Sequence, residues 1–533
     1  MQVETEKIEY GTKIEDWLSY AFSYGEVCYF HNLKFDGSFI VDFLFRLGYE
    51  WTSKRRLDEK TFTTLISDMG MWYSIKIRGE DGAGGLKREV TIYDSLKIIP
   101  MPIAQMPKTF DIGLEKLDLD YEGDREEGHE LTEHEKVYIR NDTLILARAL
   151  KFMREHNMKK LTTASNAMND FKTRLGKAEF DRLFPPLDAI TDRDIRMSYK
   201  GGFTYLNPVY KNKPIGRGQV YDVNSMYPWA MKFCKLPYGE PVYFTGQYEE
   251  DEGYPLYVQS LVCDFKLKPG CVPSIQIKNN FHYSETEYLR ESEVETVLTL
   301  TSVDLKLFFD NYDVTVYSWE GGYKFKGMVG MFADYIDYWY EQKNEGKRTG
   351  NKGLTQIAKL MLNSLYGKFG ASLTGRSKIP QFDRDQDKVT YYYGAEESRT
   401  AYYVPVASFI TSYARDKIIR AAQQLGERFI YADTDSLHVK GTEPADIDID
   451  EYRLGAFKIE EEFDHAVFIR QKTYMESING KNDVKCAGMP KNIKETVTFE
   501  NFKEGATFEG KLMPRIIPGG TILRETTFKI KSK

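Results

Sequence analysis

Apolar positions along this chain switch between two periods, and the switches mark out its elements. Near the start, VCYF (27–30) and TIYDSL (91–96) are short apolar-aromatic runs of strand length. DTLILARALKFMREH (142–156) instead repeats its apolar residues at helical spacing. Strand and helix signals so interleaved over the first 160 residues predict an α/β unit. From about 215 to 235 an apolar strand runs through a turn into a helix. Residues 240–325 are rich in Tyr, Pro and short strand-like runs. A long helical stretch over roughly 332–372 is interrupted near NEGKRTGNKG, and 373–403 reads as a β-rich excursion punctuated by Gly, Pro and charge. SFITSYARDKIIRAAQQLG (408–426) predicts a further helix, YADTDS a hairpin, and the tail is mostly strand-like. The sequence contains no internal repeat and no low-complexity linker.

Composition narrows the class. A chain of 533 residues exceeds what one core supports, so three or four domains are expected. With 41% hydrophobic and 29% charged residues it reads as globular, and no apolar run reaches the roughly 18 residues of a membrane span. MQVETEKIEY lacks the basic-then-apolar layout of a signal peptide. The five cysteines (Cys28, Cys234, Cys263, Cys271, Cys486) form no CxxC, which argues for a reducing compartment and against a zinc site. The net charge of −7 would count against a nucleic-acid partner if it were evenly spread. It is not: acidic clusters at 118–130, 249–252 and 447–451 suit solvated faces. From Asn501 onward seven Lys or Arg stand against three Glu. A basic cleft can track phosphates inside an acidic protein.

Three segments carry chemistry. In VYDVNSMYPWAM (220–231) an apolar strand ends at Asp222, and Pro228 suits the first turn of the following helix. A carboxylate at a strand end there lies beside free backbone amides that can meet a phosphate. Taken alone, the motif would more often be a helix-capping aspartate. In RFIYADTDSLHV (428–439), Asp433 and Asp435 stand two apart, a spacing that projects both from one side of an extended chain. Two carboxylates so close repel unless a cation neutralises them, and a plain hairpin turn would favour Asn-Gly or Asp-Gly. In LTQIAKLMLNSLYGKFG (354–370), Lys359, Asn363 and Tyr366 follow i, i+4, i+7 and share one helical face, while Ile357, Leu360, Met361, Leu362 and Leu365 fill core faces. Gly367 leaves room for a close backbone or base pair. Phosphoryl transfer needs such parts together. Two metal ions about 3.5–4 Å apart activate a 3′-hydroxyl and the leaving pyrophosphate, with oxygen ligands and a nearby lysine to meet developing charge.

DVNSMYP, KLMLNSLYG and YADTDS resemble motifs A, B and C of the family B DNA polymerases, and QKTY (471–474) is similar to that family's Lys-x-Tyr motif. The resemblance is closest to the protein-primed phage polymerases of the phi-29 type. It spans nearly the whole chain, including YFHNLKFDG (29–37), YKGGFTYLN (199–207), KCAGM (485–489) and TFENFK (498–503). It implies that Asp222 and Asp435 bind the metals, with Asp433 auxiliary and Val223 among the metal-binding positions. Tyr227 would exclude a 2′-hydroxyl, and Lys359 would meet the triphosphate. Asn363 and Tyr366 would line the nascent base pair, and Lys472 and Tyr474 would hold the primer end. Ser225, Gly367 and the Tyr199-Lys200-Gly201-Gly202 turn would contact DNA. The implied cofactor is Mg²⁺, two ions, with Mn²⁺ as a substitute. The implied partners are DNA template and primer, dNTPs and a terminal protein, in the cytoplasm of a bacterial host.

The implied architecture is α/β and multidomain: an RNase H-like 3′–5′ exonuclease domain followed by a right hand of palm, fingers and thumb with two family-specific insertions. Residues 1–163 would be exonuclease-like, 164–239 the connection and first palm segment, and 240–328 the first terminal-protein region. Fingers would occupy 329–372, the second terminal-protein region 373–403, palm 404–484 and thumb 485–533. Asp36, Lys116, Tyr138 and Asp142 match the second and third exonuclease motifs, but the Asp-x-Glu of the first is missing, leaving that domain N-terminally incomplete. With two of four metal ligands gone, weak or absent proofreading is expected, and a start placed downstream of the natural one is favoured over evolutionary loss. Two alternatives stand beside protein priming. One is a family B polymerase that uses only nucleic-acid primers. The other is a catalytically silent DNA-binding scaffold, against which Asp222, Asp435 and Lys359 all remain.

Overall fold

The structure, a computed structural model, describes residues 1–24, 27–81, 88–119, 129–277, 287–399 and 401–531. Most of the acidic cluster at 118–130 therefore lies outside the described residues.

The N-terminal unit is a five-stranded sheet in the order Val27–Phe30, Glu89–Asp94, Trp72–Arg78, Thr61–Ile66, Glu50–Trp51. Its two outer pairs are parallel and its inner pairs antiparallel. The helix Leu33–Arg46 buries Leu33, Ile40, Val41 and Leu44 against Phe62, Ile75, Ile77 and Ile92 of the sheet. Gly37 makes the approach possible, since a Cβ there would meet the Trp72 ring at 2.7 Å. The helix Glu133–Glu155 is longer than the periodic stretch that announced it. Thr132 and Glu135 form a capping box that starts it early.

The central sheet is antiparallel, in the order Phe457–Phe463, Gly218–Val223, Ser436–Lys440, Phe429–Asp433, Thr204–Leu206. The helix Val404–Leu425 covers one face and presses Ile418, Ile419, Ala422 and Leu425 onto Tyr221, Val223, Leu437 and Val439. A second sheet, Lys481–Cys486, Thr473–Ile478, His465–Arg470, Pro214–Ile215, lies beside it.

The segment following the strand Gly218–Val223 and the helix Met226–Phe233 forms a four-stranded antiparallel sheet from Leu236–Phe244, Leu256–Leu267, Thr296–Thr301 and Tyr312–Met328. It also holds a helix, Ser302–Asn311, where only strand-like runs were expected. Thr301 caps that helix, and Leu305, Leu307 and Phe308 bury one side of it. The β-rich excursion is a hairpin, Thr374–Asp383 with Lys388–Ser398. It docks on the N-terminal unit: Ser377 bridges Ser67, Arg46 pairs with Asp387 at 3.1 Å, and Phe382 and Tyr391 pack against Phe45 and Trp72. The last hairpin, Thr507–Ile517 with Gly520–Lys529, returns to the same unit, where Gly520 lies flat on the Phe39 ring.

Candidate active site

Three carboxylates meet at one end of the central sheet. Asp222 is the penultimate residue of its strand, paired across to Ser436 on one side and Lys458 on the other. Asp433 closes the strand Phe429–Asp433, and Asp435 lies in the turn of the hairpin expected at YADTDS, not on one extended run with Asp433. Thr434 and Asp435 form a two-residue turn, with Thr434 at φ 64° and Asp435 N–H donating to the Asp433 carbonyl at 2.8 Å. A hairpin serves the metal-binding reading better than a straight strand, because it folds Asp435 back over Val223, whose N–H donates to the Asp435 carbonyl at 2.8 Å.

The three differ in their surroundings. Asp433 has local partners: Lys472 Nζ at 3.2 Å, and the Tyr431 and Thr204 hydroxyls, each donating at 3.2 Å. Burial pushes Asp222 up to about 7, and the charges of Asp435 and Glu460 add to it; Lys458 and Lys343 oppose the rise. Asp435 is also raised, again by burial first, with Asp433 and Glu460 contributing. Asp222 and Asp435 thus form a crowded, half-buried anionic pair, a donor set that suits a hard divalent cation.

Beside it stands the opposite excess. Burial lowers Lys343 to about 8, helped by the nearby ammonium groups of Lys347, Lys359 and Lys458. Its Nζ donates to Ser225 Oγ at 3.2 Å. Lys458 Nζ lies 3.9 Å from Asp222 Oδ1, so the carboxylates and the lysines meet side by side. Lys343, Lys458 and Glu460 carried no signal that single-sequence reading used. Glu460 reaches the site because the pairing of its strand slips between Ile459 and Glu461, making it the extra residue of a β-bulge.

Lys359 and Asn363 lie exposed on the helix Lys352–Ser364, with Ile357, Met361 and Leu362 buried behind them. Tyr366 is not on that helix. The helix ends before Leu365, and Tyr366 opens a separate turn, Tyr366–Phe369, from which its ring stacks on Tyr227 at 4.0 Å. The Tyr199–Gly202 turn is anchored from below: Arg415 Nη1 donates to the Lys200 and Gly201 carbonyls at 2.9 and 2.7 Å. A Cβ on Gly201 or Gly367 would find open space. Gly202 packs against Thr434, 2.9 Å from where a Cβ would stand, and near the Tyr227 hydroxyl. The Tyr199 ring fills the space beside Gly370. Lys472 sits at φ 55° with its N–H on the Tyr431 hydroxyl, and Tyr474 packs on Phe468 and Tyr431. Ser225, Thr434 and Lys472 all adopt left-handed backbone, a concentration of strain suited to a site whose geometry matters.

In the N-terminal unit, Asp36 is pushed up to about 6 by burial and by the charge of Asp94. Lys116 ties Tyr138 to Asp142 at 3.0 and 2.9 Å. Glu4 and Glu6 pair with Arg154 and Arg148, each at 2.9 Å. The five cysteines are free, and among the described residues no helix is long and apolar enough to cross a membrane.

Paired carboxylates on a β-hairpin and its neighbouring strand, beside a group of lysines, have the charge pattern that nucleotidyl transfer requires. Comparison with known proteins gives the same answer. Residues 23–454 match the family described as DNA polymerase type B, organellar and viral. The DNA polymerase of Bacillus phage Nf is 41% identical, over 98% of this chain and 94% of its own length. That of Streptococcus phage Cp-1 is 36% identical over 95% and 87%. A solved structure of phi29 DNA polymerase with primer-template DNA and incoming nucleotide superposes with a TM-score of 0.92 at 40% identity, covering 98% of this chain and 94% of that one. The chain belongs to the type B DNA polymerases and is a DNA-directed DNA polymerase of the phi29-like phage group.

Proposed function

We propose that this polymerase copies a linear phage-type genome in the host cytoplasm, starting from a hydroxyl of a terminal protein and displacing the non-template strand as it goes. The observation that carries the catalytic part is the juxtaposition of charge. The crowded Asp222–Asp435 pair and the Lys343–Lys347–Lys359–Lys458 group call together for a divalent cation bound to a polyphosphate. Two Mg²⁺ ions, or Mn²⁺, would supply Lewis-acid activation of the attacking 3′-hydroxyl and neutralise the leaving pyrophosphate. Asp222 and Asp435 would hold them, with the Val223 backbone beside them and Asp433 kept auxiliary by Lys472. Lys359 orients the triphosphate and meets the charge that grows as the bond to the α-phosphate's leaving oxygen breaks. Tyr227, stacked on Tyr366, walls the sugar position and excludes a 2′-hydroxyl, while Asn363 and Tyr366 border the nascent pair. Lys472 and Tyr474 hold the primer terminus, and Ser225, Gly367 and the Tyr199–Gly202 turn guide the strands. DNA and nucleotide in the phi29 structure support the same partners here.

Protein priming is favoured by the insertion at 240–328, whose outward face exposes Val297 and Tyr317 at 64% and 52%. Strand displacement is favoured by the 373–403 hairpin, which bridges to the N-terminal unit. Residues 1–163 are read as exonuclease-like and 485–533 as thumb. We read Asp36, Lys116, Tyr138 and Asp142 as parts of an exonuclease-like site and expect little 3′–5′ hydrolysis from them alone. Extension of a labelled primer on a template in Mg²⁺, beside Asp435→Ala, tests the catalytic claim; lengthening that persists in the variant would overturn it. Transfer of a dNMP to a Ser, Thr or Tyr hydroxyl of a partner protein tests priming, and strict dependence on a nucleic-acid primer would replace it.

A further inference from the structure

Three residues beyond Asp435, the strand Ser436–Lys440 carries a histidine into the protein interior. His438 Nδ1 lies 2.7 Å from Glu476 Oε1, and the two side chains are 2% and 3% exposed. The bond crosses between sheets. His438 belongs to the sheet that presents Asp222, Asp433 and Asp435, whereas Glu476 sits two residues beyond Tyr474 in the other sheet. The imidazole is caged by the rings of Tyr431, Phe468 and Tyr474, with centroids 5.3, 5.4 and 5.0 Å away. From this cage one path leads directly to the surface. Tyr431 donates its hydroxyl hydrogen to Asp433 and accepts the Lys472 N–H at 3.0 Å, and Lys472 Nζ returns to Asp433 at 3.2 Å. Lys472 keeps its left-handed conformation, at φ 55°, inside this frame.

We infer that the His438–Glu476 pair is a positioning device: it fixes the registry of the two sheets, so that Lys472 and Tyr474 stand at a set distance from the carboxylate hairpin. A buried hydrogen bond between ionisable groups is directional, and an apolar contact of the same area would let the sheets slide. This inference rests on the reading of Lys472 and Tyr474 as the holders of the primer end. Neither His438 nor Glu476 touches the reacting atoms. Their effect passes through the aromatic cage and Tyr431.

The full chain with Glu476→Met loses the acceptor at similar volume, and Glu476→Gln keeps an oxygen for the His438 N–H. Affinity for a fluorescent hairpin primer-template should fall about tenfold or more in Glu476→Met and stay within about threefold in Glu476→Gln. The dNTP KM at saturating DNA should stay within about twofold in both, a split that general loss of stability does not produce. If Glu476→Met does not fold, His438→Phe/Glu476→Met replaces the pair by packed apolar groups and should show the same loss of DNA affinity. Wild-type DNA affinity in a folded Glu476→Met or double variant overturns the inference, as does a dNTP KM that rises in step with the DNA Kd. Lys472→Ala in the same assay separates the two ideas. If it leaves DNA affinity unchanged, the primer-end reading fails; if it weakens binding while Glu476→Met does not, only the role of the pair fails.

Discussion

Replacing Arg415 by Met would remove the centre of a deeply enclosed ionic network. The guanidinium, 4% exposed, donates to Asp304 at 3.1 and 2.5 Å, to Ser412 Oγ at 3.0 Å, and to the two carbonyls of the Tyr199–Gly202 turn. Asp304 belongs to the helix of the 240–328 insertion, so one side chain joins the insertion, the helix Val404–Leu425 and the expected DNA-contact turn. Removing one partner of a buried pair costs about 3–5 kcal/mol, because the abandoned charge stays in a medium that cannot solvate it. Two backbone carbonyls losing their donor add roughly 1 kcal/mol each. In a chain of several domains this loss should appear locally rather than as one melting temperature. Amide exchange is therefore the assay. At roughly tenfold per 1.4 kcal/mol, exchange over Ser302–Asn311 and the 199–202 turn should quicken by at least about a hundredfold. Asp304→Asn, which leaves the buried Arg415 charge unpaired and turns one acceptor oxygen into a donor facing the guanidinium, should likewise cost about 3–5 kcal/mol. Exchange in Arg415→Met within about threefold of wild type would refute the claim that this pair holds the helix Ser302–Asn311 to the helix Val404–Leu425.

Lys359→Ala should lower kcat/KM for dNTP by about 10²–10³ while primer-template affinity stays near wild type; steady-state extension and a binding titration separate the two, and equal losses in both would count against the triphosphate role. Asp36 gives a pH signature. Its carboxyl is raised from 3.8 to about 6 in the folded chain, so between those values the folded state holds the extra proton. Its contribution to stability is therefore lost as pH rises through that window. In EDTA, Asp36→Asn should flatten this part of the urea-stability profile, and a profile parallel to wild type would contradict the burial argument. Phe382→Ala combined with Arg46→Ala should undock the hairpin. Products made at low enzyme-to-primer ratio should shorten while single-nucleotide addition stays within about twofold, and unchanged product lengths would remove the hairpin from processive synthesis.

What could be read from the sequence was what is local. Asp222 at a strand end, the hairpin at Asp433–Asp435 and the exposed Lys359–Asn363 stripe all depend on residues within one or two turns of each other, where periodicity speaks directly. The helix Ser302–Asn311 was missed because its apolar residues also fit a strand and its stabilisation comes from the sheet it covers. Tyr366 was placed on the wrong element because nothing in LNSLYG marks the interruption at Leu365. Glu460, Lys343 and Lys458 were invisible for a different reason: a bulge and two inter-element contacts bring them to Asp222, and no local pattern encodes those. Gly202 illustrates the same limit, since its constraint is the Thr434 methyl group more than 200 residues later.

The return of the last hairpin onto the N-terminal unit also sets a timetable for synthesis. Phe39 and Phe45 are translated early, yet the surfaces that cover them, around Phe382 and Gly520, come much later. At about 5–20 residues per second, the roughly 480 residues separating Phe39 from Gly520 take on the order of 25–100 s to emerge from the ribosome. Over that interval Phe39 lacks the surface that Gly520 later supplies, while Phe45 is covered once Phe382 has been made. Nascent chains stalled before this hairpin should therefore be the chaperone-dependent, aggregation-prone species, and emergence of the strand that carries Gly520 is the event that ends their exposure.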